Sequence, residues 1–192
     1  MPPRTGRTLL DRKLVAHPSS PCSNQDLGLS VSMNLESGGL EILYRLHGNH
    51  AEVCLPDQSE NPQRKDELWK STCMELFVKT SRKPDHYLEL NFSPSGEWAF
   101  YRFNGYRTNR ENPSVLTAPS IDTRKSSDSL EIFVHLPSDF PLELEGSETT
   151  ALFSPCAVVL VREGQQMSYW AISHHQLQPD FHDPKPFVPL IL

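Results

Sequence analysis

The sequence predicts an all-β protein, an antiparallel β-sandwich, and three observations carry that expectation. Segments of strand character recur between turn signals at 27–35, 39–47, 73–79, 87–92, 98–103, 130–136, 152–162 and 167–173. No segment sustains helical periodicity over three turns, and 17 prolines punctuate the chain where they would break helices. Many short strands at this spacing suit two packed sheets better than a helical layer.

The turns support the same reading. Ser37-Gly38-Gly39 separates the first two strands and Ser93-Pro94-Ser95-Gly96 separates the fourth and fifth; glycine admits φ > 0 and proline presets a turn, so both read as hairpins. The strands 73–79, 87–92 and 98–103 are joined by short loops and should form an up-and-down meander. The stretches 107–125 and 139–150 are polar and without period, which suits lids over a site or crossover loops. Residues 1–8 read as a loose tail and 9–192 as one domain. A chain of 192 residues buries roughly 70% of its unfolded surface, enough for an ordinary core.

Within the meander, period-two alternation assigns faces. Leu88, Leu90 and Phe92 point to the core, and Tyr87, Glu89 and Asn91 point the other way. On the preceding strand Met74, Leu76 and Val78 form one set, while Glu75 lies in the other with Cys73 and Phe77 and so shares a face with Glu89 and Asn91. The register of the third strand stays open: either Trp98, Phe100 and Arg102 or Ala99, Tyr101 and Phe103 join that face. Both sets bring an aromatic ring beside carboxylates and an amide. Such a face suits a polyhydroxylated ligand, whose C–H faces pack on rings while its hydroxyls bond to the polar groups.

Charge and composition exclude other classes. Eighteen basic residues stand against 24 acidic ones, a net charge of −6 with no basic stripe, so nucleic acid is not an expected partner. The N-terminal apolar runs are too short for a signal peptide and the longest apolar stretch, 157–161, is far too short to span a bilayer, so a cytoplasmic protein without a membrane partner is expected. Cys22, Cys54, Cys73 and Cys156 show no metal-ligand spacing and read as reduced thiols, the two within strands as small core residues. His174, His175 and His182 cluster near the C-terminus, but adjacent strand side chains diverge, so no metal site is expected there; Phe181 and Phe187 should anchor that segment.

The segments ELWKSTCMELFV, YLELNFSPSGEWAFYRFNGYR, SYWAISH and PDFHDPKPFVPLIL together resemble the DOMON-like domains related to family-nine carbohydrate-binding modules, from about residue 10 to the C-terminus. The resemblance implies a β-sandwich that binds a ligand without transforming it, a sugar in one branch and haem in the other. In sugar modules of that kind the ligand lies between two tryptophans, with a glutamate, an arginine and an asparagine on its hydroxyls. Carried onto this chain, Trp69 stands six residues before Glu75 as one ring, Trp170 supplies the other, and Arg107 or Arg102 the guanidinium. Tyr169 and Ala171 flank Trp170, where the pattern would have an asparagine, and the chain has no secretion signal.

The expected site is therefore Trp69, Glu75, Glu89, Asn91, Arg107 and Trp170, on a concave sheet, with a glycan or other small molecule as partner and Arg107 suited to an anionic or amino sugar. No cofactor is expected. Two alternatives are a haem domain, drawing on Met74 or Met167 with His174 or His182 as axial ligands, and a glycoside hydrolase using Glu75 and Glu89 as acid and base.

Overall fold

In the computed structural model, which describes residues 6–20, 26–80, 85–142, 150–162 and 166–191, burial itself separates two kinds of strand. In β2 (Gly28–Glu36), β3 (Gly39–His47) and β8 (Ser129–Pro137) buried and partly exposed residues alternate, as in a sheet with one wet face. In β4 (Cys73–Thr80), β5 (His86–Phe92) and β6 (Trp98–Asn104) nearly every described residue is buried, so both faces of that meander are covered.

The first sheet runs β1 (Arg7–Ala16), β2, β3, β8 and β7 (Ser120–Lys125); the second runs β6, β5, β4, β9 (Thr150–Val161) and β10 (Gln166–Ala171). All pairings are antiparallel, and β11 (Val188–Ile191) lies against the first half of β9 while β10 holds the second half. The last two residues of β1 leave β2 and pair with Ala171 and Trp170 of β10, so the two sheets are one ribbon curled at that corner. The antiparallel sandwich expected from the sequence is the observed architecture.

The main core lies between the sheets. Met74, Leu76, Leu90 and Phe100 from the second sheet meet Val31, Met33, Ile42 and Ile132 from the first, each almost wholly buried. Tyr44 crosses this core and its hydroxyl donates to the main-chain carbonyl of Glu75 at 2.7 Å, tying the first sheet to the strand that carries the candidate carboxylate. A second, smaller apolar cluster, with Phe77, Tyr101, Phe103, Val158 and Phe181, covers the outer face of the second sheet.

Three segments depart from the sequence reading. Strand β1 begins at Arg7, inside the expected tail; residues 1–5 lie outside the described residues. The stretch 107–125, expected to be loop throughout, ends in the strand β7, and β11 forms within the expected terminal segment. Of 139–150, residues 143–149 lie outside the described residues, as does Cys22. Cys73 and Cys156 are fully buried free thiols, but on the outer-face cluster rather than between the sheets.

Candidate ligand-binding site

Register builds the floor. Glu75 pairs with Asn91, which pairs with Ala99; Phe77 pairs with Glu89, which pairs with Tyr101. Partners across a ladder share a face, so Glu75, Asn91, Glu89 and Tyr101 all look outward from the second sheet. On the other flank Glu75 faces Cys156 and then Ala171. The rung holding Glu75 thus carries only small side chains beyond its amide neighbour, which keeps the floor low between taller rungs. The register question of the third strand resolves in favour of Tyr101: Trp98 lies in the core, with Arg64 5.2 Å above its ring.

The walls come from outside the sheet. A single 3-10 turn, Leu68–Lys70, entered through Glu67 with φ 62°, presents Trp69 edge-on to Tyr101 at 6.3 Å, and the Tyr101 hydroxyl donates to Asp66 at 2.7 Å. The C-terminal segment after β10 folds back over the face: Phe181 stands 6.0 Å from Tyr169, and His182 packs edge-on against Phe77 at 5.0 Å and Phe103 at 5.3 Å. Together these enclose a cavity of about 460 Å³ whose lining includes Trp69, Glu75, Glu89, Tyr101, Arg107 and His182.

Hydrogen bonds fix the polar rim. Asp180 accepts from the Arg107 guanidinium at 2.8 Å, from the Tyr106 hydroxyl at 2.7 Å and from the His182 main chain at 3.1 Å. The Tyr87 hydroxyl accepts from the Arg107 main-chain N–H at 3.0 Å and meets His182 Nδ1 at 2.7 Å. On the other side of the ring His182 Nε2 lies 3.7 Å from Glu89. Arg110 lies 4.8 Å over the Tyr101 ring.

Burial sets the charges. It pushes the Glu75 carboxyl well above the usual range, the Glu89 charge adds to this, and Arg107 opposes it. Burial also lifts Glu89, to about 7, against the Asn91 hydrogen bond and the Arg107 and Arg110 charges. His182 is lowered to about 4, first by burial and then by Arg107, so at neutral pH it is a neutral ring and the Glu89 contact is not an ion pair. Asp180 falls below its ordinary value because the Tyr106 and Arg107 hydrogen bonds outweigh its burial.

Of the six residues expected from the sequence, Trp69, Glu75, Glu89 and Arg107 line this one cavity. Asn91 sits beneath it: fully buried, it donates Nδ2 to Glu89 Oε1 at 2.9 Å and positions that carboxylate. Trp170 is not there. Strand alternation turns it into the core between the sheets, where its indole N–H donates to Ser168 at 2.9 Å, and it is Tyr169 that reaches the cavity. Arg102 pairs with Glu111 away from the lining. Sequence reasoning missed Arg110 and Tyr169; it had Phe181 as an anchor, which it is, and His182 as a haem ligand, but neither as a wall of the cavity. The C-terminal histidines have separate partners: His174 bonds the Val15 carbonyl at 2.9 Å and packs edge-on to His17, while His182 packs on Phe77 and Phe103. Met74 lies between the sheets, on the face opposite His182.

No family model matches the chain, and no curated protein matches it. Solved structures do. A protein of Bacteroides uniformis described as a candidate carbohydrate-binding protein superposes with a TM-score of 0.65 at 14% identity, covering 95% of this chain and 86% of that one. A family 9 carbohydrate-binding module from Caldicellulosiruptor kristjanssonii in complex with cellotriose gives 0.51 at 10% identity, covering 94% and 80%. The chain shares their sandwich fold. At these identities the likeness concerns the backbone architecture, and the chemistry of the site rests on its own residues.

Proposed function

We propose that the protein binds a carbohydrate, or a related polyhydroxylated small molecule, in the cavity on the outer face of the second sheet, and does not transform it. The observation that carries the reading is the lining itself. Rings of Trp69, Tyr101, Tyr169 and Phe181 surround buried carboxyls and two guanidinium groups in about 460 Å³, a volume within the range of roughly 300–1,000 Å³ usual for small-molecule sites. Apolar ring faces offer contact area to sugar C–H bonds, and Glu75, Glu89, Arg107 and Arg110 offer acceptors and donors for hydroxyls. Solved proteins that share the fold, one of them holding cellotriose, support the same class of ligand. Thermal-shift and calorimetric titration with mono- and oligosaccharides tests it; no response to any sugar would sink it.

One observation favours a second reading. Glu75 and Glu89 stand diagonally on adjacent strands with raised proton affinities, the raw material of a glycosidase. Hydrolysis of chromogenic glycosides, lost in Glu89→Gln, would establish that reading over binding alone. The binding reading needs no cofactor. A haem would need an axial pair: Met74 lies between the sheets, away from His182, while Met167 packs on the outer-face cluster that His182 covers; a Soret band in the purified protein would establish haem.

A further inference from the structure

In their charged forms the acids around the cavity outnumber its cations. Glu75, Glu89 and Asp180 face Arg107 and Arg110, with His182 neutral at pH 7 and the Asp66 carboxylate behind Tyr101 adding no cation. Asp180 and Arg107 satisfy each other at 2.8 Å. Arg110 is held over the Tyr101 ring at the exposed rim. At the floor, Glu89 accepts one bond, from Asn91. Among the described residues the Glu75 side chain, 4% exposed, accepts no hydrogen bond, and the buried Asn91 Oδ1 has no partner. In its charged form the floor would be a group of acceptors short of donors and of one positive charge; burial meets that shortage by keeping protons on the carboxyls, and a cation held among the aromatic rings would take the place of those protons.

We infer that the ligand carries a protonated amine, an amino sugar whose ammonium sits against Glu75 and Glu89 while its hydroxyls meet the arginine rim. This rests on the carbohydrate reading above and narrows it. An ammonium brings three donors and a positive charge to two adjacent carboxyls, replacing the protons that burial keeps on them. A hydroxyl brings one donor and no charge. An acidic sugar would bring a further negative charge to the same floor, so of the two classes that Arg107 admits, the geometry selects the amine.

Calorimetry of the wild-type protein at about pH 6.5, where a sugar amine is protonated, compares D-glucosamine with D-glucose, N-acetyl-D-glucosamine and D-glucuronate. Glucosamine should bind tighter than the two neutral sugars by about tenfold or more, the scale of a charge-assisted hydrogen bond. Glu75→Gln should erase that preference. Titrations in buffers of different ionisation enthalpy should show protons released on binding glucosamine and none on binding glucose, because the ammonium draws the floor carboxyls into their charged form. Glucose or N-acetylglucosamine binding as tightly as glucosamine would overturn the amine inference and leave the carbohydrate reading standing. If none of the four sugars binds, the amine inference falls, and the carbohydrate reading falls with it only when the oligosaccharides also give no response.

Discussion

Replacing Glu89 by glutamine should change how stability depends on pH, and the structure fixes both sign and size. In the folded protein burial holds Glu89 near 7, against an ordinary value near 4.3 in the unfolded chain. Between those values the folded state binds more protons than the unfolded one, so wild-type stability falls as pH rises through that window and the full cost is present above about pH 7. The gap between the two values corresponds to about 4 kcal/mol at most. Glu89→Gln keeps an oxygen for the Asn91 Nδ2 bond and has no charge to desolvate; it also removes a neighbour that raises Glu75. Denaturant unfolding of both proteins from about pH 4 to about pH 8 should show the variant gaining on the wild type by up to about 4 kcal/mol across the series, roughly 8–16 °C in melting temperature for a domain of this size. The gain should close at the acidic end. Curves that run parallel over the whole range would refute the claim that Glu89 is held protonated by burial.

Other substitutions separate site from scaffold. Trp170→Ala should destabilise the fold by about 3–5 kcal/mol, because it empties core volume, while leaving the cavity lining intact; thermal melting reads this. Trp69→Ala should do the reverse, with little loss of melting temperature and sugar affinity reduced beyond calorimetric detection. Tyr44→Phe should cost about 1 kcal/mol through the lost bond to the Glu75 carbonyl, seen in denaturant midpoint. Asp180→Asn should weaken sugar binding several-fold with little change in stability, since it releases Arg107 from a half-exposed pair whose role is to aim the guanidinium.

What the sequence reveals follows where periodicity operates. Leu88, Leu90 and Phe92 against Glu89 and Asn91 is an alternation that only a strand satisfies, and with the same alternation in β4 it suffices to place two carboxylates and an amide on one face. Strand β1 escapes because its buried contacts are Leu10 and Leu14, with exposed Arg12 between them, and because a bulge shifts its register between Thr8 and Leu10. Strand β7 buries no residue fully; main-chain pairing with β8 makes it, and that leaves no apolar pattern to read. The short β11 contains Pro189 and buries only Leu190. The choice of Trp170 over Tyr169 fails for a related reason. In Met167 to Ala171 both faces are covered, one by the first sheet and one by the C-terminal segment, so hydrophobicity does not say which aromatic faces which way. Phe181 and His182 reach the cavity through a loop, whose course has no period at all.

The three tryptophans offer the most direct test of the cavity as a sugar site, because Trp69 lines it while Trp98 and Trp170 are packed between the sheets. Their indole N–H signals in a ¹⁵N-labelled sample, assigned through single Trp→Phe variants, can be followed during titration with glucosamine, glucose and cellotriose. The account predicts that the Trp69 signal moves and saturates with at least one of these sugars while the other two stay in place. A Trp69 signal that no sugar moves, or a response at Trp98 or Trp170 with Trp69 silent, would contradict it.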